Sequence, residues 1–295
     1  MKKILLSLAV GPDCNTSFPN HMKKILLSLA VVLAAVSCGP RFEPFTFVHM
    51  ADTQVGFFDY EPGHAVSDTL MARAVRSVNE LNPDLVVICG DLVDHPDTLE
   101  HEEIFSRNLA KFIPETWLVP GNHDYMSYNR PLRDRYLAQR GYERFYFVHK
   151  GCAFIGMDSN CIKEGVEDAE AEQLEWLKAR LAEASKCKHV FIFMHCPIIR
   201  QSIDEPEDYF NFPVSKRQQY IDLFKASGVT ACFFGHCHQE WRTEYEGIKF
   251  LTAGSVCRAL GHGYPGYGII KVTEDGIEES YFATPVDDVP MPTVK

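Results

Sequence analysis

The chain has 295 residues, 46% of them hydrophobic and 23% charged, with a formal net charge of −11. That acidity excludes a surface built to coat nucleic acid, and it would repel phosphorylated substrates unless local cations reverse the field. No low-complexity tract interrupts the chain, and its composition is that of a globular protein with a core to bury.

"MKKILLSLAV" at 1–10 recurs unchanged at 22–31, so residues 1–21 read as a duplicated leader or an expression artefact. From Met22 the pattern is a secretory signal: Lys23 and Lys24, an apolar stretch from Ile25 to Val36, then Ser37-Cys38. The stretch falls short of the roughly 20 residues a membrane span needs. The small residues before Cys38 resemble a bacterial lipobox, with Ala35 where Leu is commoner. Residues 22–38 are therefore expected to be a lipoprotein-type signal with the lipid on Cys38, plain secretion being the alternative. Either places the protein outside the cytoplasm, in the periplasm or at the outer membrane. Losing the leader's four lysines and one aspartate takes the charge from −11 to −14. Residues 42–295 then form one domain, expected to be a monomer. Eight cysteines lie beyond the leader, several inside apolar runs (Cys89, Cys196, Cys232), and read as small buried hydrophobes rather than a disulfide framework.

Next come apolar runs that end in polar residues: "FTFVHMAD" (45–52), "DLVVICGD" (84–91), "TWLVPGNHD" (116–124), "CAFIGMDSN" (152–160), "HVFIFMHCP" (189–197) and "VTACFFGHCH" (229–238). They read as buried strands. Helical patterns cover roughly 64–81, 99–113, 168–184 and 214–227. Strand–helix alternation implies a mostly parallel sheet covered by helices. From Thr243 onward, short alternating runs predict a second sheet of hairpins packed on the first.

Ligands of open α/β sheets bind beyond the carboxyl ends of the strands, and the polar residues gather there. The set is Asp52, Gln54, Asp91, Asn122, His123, Asp124, His195, His236 and His238. Carboxylate and amide oxygens mixed with imidazoles suit divalent Zn, Mn or Fe better than Ca. A carboxylate between two cations can bridge them. His236 and His238 on an extended segment would point both rings the same way, toward two ions about 3.5–4 Å apart.

"GDLVD" (90–94), "GNHD" (121–124), the His of "MHCP" (194–197) and "GHCH" (235–238), in that order after "ADTQ", resemble the calcineurin-like metallophosphoesterase superfamily. The resemblance runs from Phe45 to about Thr273. It implies an α/β fold, a four-layer αββα sandwich of two mixed sheets. Position by position it implies Asp52, Asp91 and His238 on one metal. Asp91 then bridges to a second metal held by Asn122, His195 and His236. His123 is implied to meet the phosphate as a catalytic non-ligand, with Asp124 orienting its ring. The first metal's last ligand is normally a His, and this chain has Gln54. Asp-x-Gln, together with "SIDEPEDYFNFPVSKRQQ" (202–219), is similar to the subfamily called calcineurin-like phosphoesterase domain-containing, reported as serine/threonine phosphatases. Gln54 as a ligand would tilt the first site toward Mn or Fe; the alternative is contact through water.

The expected reaction is phosphate monoester hydrolysis. A hydroxide bridging the metals attacks in line, and His123 assists the leaving group. The expected substrate is a phosphorylated small molecule or a phosphoprotein. The alternatives are a phosphodiesterase or nucleotidase on the same core, or a metal-dependent binding protein without catalysis. Arg258, His262 and Asn160 are candidate substrate contacts, an ordinary turn being the other reading of the Arg258–His262 stretch. His64, His95, His101, His149 and His189 read as surface or satisfied histidines.

Overall fold

Alternation decides which face of each strand looks inward, and it builds two sheets rather than one. The computed structural model describes residues 39–57, 64–260 and 263–289, and the elements named below lie in one compact unit from Pro40 onward. Cys38 of the lipid-anchor expectation, residues 1–37 and His262 fall outside the described residues. Among the described residues no helix is long and apolar enough to cross a membrane.

The first sheet has the order β11-β10-β1-β2-β3. Its strands β1 (Phe45–Met50), β2 (Leu85–Cys89) and β3 (Glu115–Val119) run parallel, and β10 (Gly266–Thr273) and β11 (Gly276–Ala283) add antiparallel at one edge. The second sheet is β4-β5-β6-β7-β9-β8. Here β5 (Cys152–Gly156), β6 (His189–Phe193), β7 (Ala231–Phe234) and β9 (Ile248–Thr252) are parallel, with β4 (Phe145–His149) and β8 (Trp241–Tyr245) antiparallel at the edges.

Between the sheets lies an aromatic layer. Phe47 of β1 meets Phe154 and Phe233 of the second sheet, with ring centroids 5.4 Å away in each case, and Phe193 stacks on Phe233 at 4.9 Å. Such offset and edge-on pairs add to the area they bury. Residues one step along each strand face outward to the helices. Val48, Met50, Val86 and Ile88 pack with α1 (Ala65–Leu81) and α2 (Leu99–Leu109). Val190, Ile192, Cys232 and Phe234 pack with α6 (Glu167–Ala184) and α7 (Val214–Ala226). The result is the four-layer αββα sandwich.

Helix α1 buries Val66, Leu70, Met71, Ala74, Val75 and Val78, a 3.6-residue stripe, and stops at Asn82 in the left-handed conformation, whose N–H reaches the Val78 carbonyl. Helix α6 begins with Glu167, Asp168 and Glu170, acids that suit the positive end of the helix dipole. The one-turn helices α3 (Asn122–Tyr125) and α5 (Asn160–Lys163) follow β3 and β5.

Two expectations need correction. The hairpins beyond Thr243 do not make the second sheet: β8 and β9 join one sheet, β10 and β11 the other. The parallel strands β5–β7 that read as part of the first sheet form the core of the second. Helix α4 (Arg130–Arg140) and strand β4 were not anticipated. Helix α4 buries only Tyr136 and so carries no apolar stripe; Asn129 caps it by accepting from the Leu132 N–H, and Pro131 follows at its start.

Candidate metal centre

Parallel strands bring their carboxyl ends to one rim, and the candidate residues sit there. Asp52 follows β1, Asp91 follows β2, Asn122 follows β3, His195 follows β6, and His236 and His238 follow β7. The turns must be tight. A Cβ at Gly121 would stand 2.2 Å from the Asp91 nitrogen and its Oδ1, and one at Gly235 would stand 2.7 Å from Asp52 Oδ2. Close approach is why glycine opens both "GNHD" and "GHCH".

The backbone is bent hard at this rim. Asp52, Gln54, Asp91, His236 and His238 all have φ between 31° and 70°. Non-glycine residues adopt this region only where the surroundings over-determine it, and such residues concentrate at functional sites. This corrects the extended reading of His236-x-His238. Both rings enter the site, but from left-handed turns.

Hydrogen bonds aim each imidazole. His195 donates from Nδ1 to the Cys89 carbonyl (2.8 Å), which leaves Nε2 3.2 Å from Asp91 Oδ2 and 3.0 Å from Asn122 Oδ1. His238 donates from Nδ1 to the Arg258 carbonyl (2.7 Å), with Nε2 3.4 Å from Asp52 Oδ1. His236 donates from Nε2 to the Tyr209 carbonyl (3.0 Å), leaving Nδ1. A backbone partner on one ring nitrogen fixes the tautomer and frees the other for a metal. Asp52 accepts the His236 N–H on both oxygens, and Asp91 Oδ1 accepts the His123 N–H at 2.9 Å.

Two ligand groups result. Potential ligand atoms of Asp91, His195 and His236 lie within 4.8 Å of one another, and so do those of Asp52, Asp91 and His238. Asp91 is common to both. Gln54 adds a further sign: its Nε2 donates to Asp94 Oδ1 (2.9 Å), while its Oε1 is buried and has no hydrogen-bond partner. An unsatisfied buried oxygen is costly, and a cation would satisfy it. The donor set fits a pair of divalent metals.

The proton affinities agree with a crowded charge cluster. Burial pushes Asp52 up to about 6 against the pull of His238. Burial would also raise Asp91, but the charge of His195 and its hydrogen bond outweigh it and hold Asp91 well below the usual carboxylate range. Burial opposes the charge on His195 as well, yet Asp91 lifts it to about 9. Burial, aided by charged His195, holds His236 down to about 3. Cations would compete with these protons, so their binding releases protons.

His123 faces the same cluster without joining either group. Its Nδ1 lies 3.1 Å from both the Asp94 carbonyl and Asp94 Oδ1. Burial works against its charge, but the Asp94 hydrogen bond and the charge of Asp91 win and raise it to about 10. The carboxylate that orients His123 is thus Asp94, not Asp124. Asp124 instead accepts the N–H groups of Gly121 (2.7 Å) and Leu92 (3.0 Å), holding the turn. Asp94 was missed although it closes the "GDLVD" run; a second acid three residues past Asp91 was the available signal.

Asn160 is also corrected. It is buried and donates from Nδ2 to the Gly121 carbonyl (3.0 Å), so it props the loop carrying Asn122 rather than meeting substrate. Arg258 lays its guanidinium over the Phe57 ring at 4.8 Å and reaches the site through its carbonyl on His238. Among the histidines set aside, His101 is buried, and His149 and His189 are bonded to Asp84 and to Thr273. His95 pairs with Asp94 at 3.2 Å and lines a groove beside His123. Tyr209, whose hydroxyl accepts from Asn122 Nδ2 at 3.1 Å, was also missed.

This fold and this arrangement of donors define a metal-dependent phosphoesterase. Residues 45–240 match the family model for the calcineurin-like phosphoesterases, and the chain belongs to that family. It is a hydrolase of phosphate esters, in a family that uses divalent metals in a dinuclear site. Its relatives include the serine/threonine-protein phosphatase CPPED1 of Bos taurus, 30% identical, and that of Rattus norvegicus, 28% identical. Each alignment covers 81% of this chain and 84% of the relative. Among solved structures, a dimetal phosphatase from Danio rerio aligns at a TM-score of 0.59 and 17% identity, over 82% of this chain and all of that one. A purple acid phosphatase from yellow lupin aligns at 0.62 and 15%, over 84% of this chain and 52% of its own. At these identities the structural likeness speaks for the fold.

Proposed function

We propose that the chain hydrolyses phosphate monoesters with two divalent cations at the rim of its sheets. The observation that carries this is the pair of ligand groups sharing Asp91. Asp52, Gln54, Asp91 and His238 would hold one cation, and Asp91, Asn122, His195 and His236 the other. Cations held there would supply an activated water and neutralise phosphate oxygens, which would overcome the repulsion expected from a chain of charge −11. The protein's own part is positional and acidic. Asp94 keeps His123 protonated and turned toward the site, so that Nε2 delivers a proton to the leaving oxygen. Mixed oxygen and nitrogen donors favour Mn, Fe or Zn, and the Gln54 amide tilts the first position toward Mn or Fe. The name of the CPPED1 relatives supports a phosphoprotein as substrate, beside small phosphate esters.

The test is turnover of 4-nitrophenyl phosphate against bis(4-nitrophenyl) phosphate by protein loaded with Mn, Fe or Zn. Monoester turnover that chelation removes and metal restores is expected. A faster diester would favour the diesterase or nucleotidase reading. No turnover with both metals bound would leave a binding protein. The lipid on Cys38 and the extracytoplasmic address are part of the same proposal, and mass spectrometry of the mature N-terminus from a bacterial membrane fraction checks them.

A further inference from the structure

A groove of ≈ 280 Å³ opens beside His123, lined by His95, Asn122, His123, Met126, Ser127 and Tyr209. Two of these side chains are apolar and exposed, Met126 at 49% and Tyr209 at 57%. Large apolar residues scattered singly on a surface need no explanation. Two lining one groove, next to the candidate acid, do.

Tyr209 is held in place from several sides. Its carbonyl accepts from His236, its hydroxyl from Asn122, and its ring centroid lies 4.7 Å from that of His236. The loop it rides on is fastened too. Buried Arg217 donates to the carbonyls of Phe212, Ile203, Glu205 and Pro206. Lys163 donates to the carbonyls of Asp208 and Asn211, on either side of Tyr209. A ring fixed before the ligand arrives spares the ordering cost of binding. Across the groove, Met126 and Ser127 hold left-handed φ values of 50° and 68°, a strained turn directly after α3.

The lining is poor in fixed charge. Among the described residues it contains no lysine, arginine, aspartate or glutamate. Its one cation is His123, whose charge is already paired with Asp94, so a leaving group with phosphates or carboxylates of its own would gain little there, whereas a flat apolar one would find a ring and a thioether.

We propose that this groove is the leaving-group subsite and that Tyr209 makes it selective for aryl phosphate monoesters. This rests on the phosphomonoesterase reading above and narrows it. The aryl ring lies between Tyr209 and Met126. The phosphorus–oxygen bond to water forms as the bond to the aryl oxygen breaks, and the His123 proton goes to that oxygen. The products are the phenol and inorganic phosphate.

The experiment compares kcat/KM for phenyl phosphate and glycerol 2-phosphate in wild type, Tyr209→Ala, Tyr209→Phe and Met126→Ala, with metal content measured in each. Tyr209→Ala should lower the phenyl-to-glycerol ratio by about 3–10-fold, the scale of one aromatic pairing. Met126→Ala should lower it by less. Tyr209→Phe should keep the wild-type ratio, since the ring remains. In a second arm, calorimetry on metal-loaded protein should find phenylphosphonate bound more tightly than methylphosphonate, with the difference reduced in Tyr209→Ala. An equal fall for both substrates in Tyr209→Ala, or equal binding of the two phosphonates, overturns the subsite. If wild type turns over no monoester, the phosphomonoesterase reading fails by itself, and the phosphonate arm still decides whether the groove takes an aryl group.

Discussion

The two sheets contribute unlike chemistry to one rim. The first sheet supplies oxygen donors: Asp52, Gln54, Asp91 and Asn122 follow β1, β2 and β3. The second supplies nitrogen donors: His195, His236 and His238 follow β6 and β7. Both ligand groups draw on both sheets, because each contains Asp91 and at least one imidazole. Neither sheet alone can assemble a site. A cation at this seam binds only when the aromatic layer has brought the sheets together, so its binding energy is also energy of sheet association.

The largest test of this division removes the shared oxygen. Asp91→Asn should lose both metals and reduce turnover to background, whereas His195→Ala should lose one equivalent and keep that of Asp52, Asp91 and His238. Elemental analysis of the two purified variants reads this directly, and equal metal content in both would break the idea of a shared carboxylate. Next in size is a residue that follows a first-sheet strand without being a ligand. His123→Ala should keep both metals and lose about 10²–10⁴-fold in kcat for an alkyl phosphate. Loss of a metal equivalent there would make His123 a ligand.

Asp94→Asn should have a smaller and pH-dependent effect. The Asp94 charge and hydrogen bond raise His123, so removing the charge lowers its pKa. The acid form does the work, hence activity is lost as pH rises through that pKa, and the alkaline limb of the pH–rate profile should move to lower pH. An unmoved limb would free His123 from Asp94. Smallest is Gln54→His, which puts a nitrogen donor on the oxygen sheet. Zn affinity should rise relative to Mn at one position, with the other unchanged. Titrations identical to wild type would mean that Gln54 is no ligand.

Much of the rim was legible because it repeats a simple pattern, an apolar run ending in Asp, Asn or His. Asp52, Asp91, Asn122, His195, His236 and His238 each stand two to four residues past the last residue of a strand, where the chain turns and periodicity stops. What escaped the sequence depends on contacts between distant segments. Asp94 and Asp124 are both acids near His123, and only the fold shows which carboxylate meets the ring. Asn160 was placed near the site but given the wrong task, because a buried amide and a substrate contact look alike in a string. The strands beyond Thr243 read correctly as hairpins, yet their assignment to two different sheets is a matter of edge pairing that alternation does not encode.

The left-handed turns beneath the ligands bear on how such a site can be lost. Asparagine tolerates that conformation about as well as any residue with a side chain, and at position 91 it keeps an oxygen for the His123 N–H. A change from Asp91 to Asn therefore asks little of the backbone while it removes the shared charge on which both cations depend. Its cost to folding is the cation-linked part of sheet association alone, so selection for catalysis is its main guard. Lineages freed from that demand would drift into intact, inactive sandwiches, with surfaces still available for other uses.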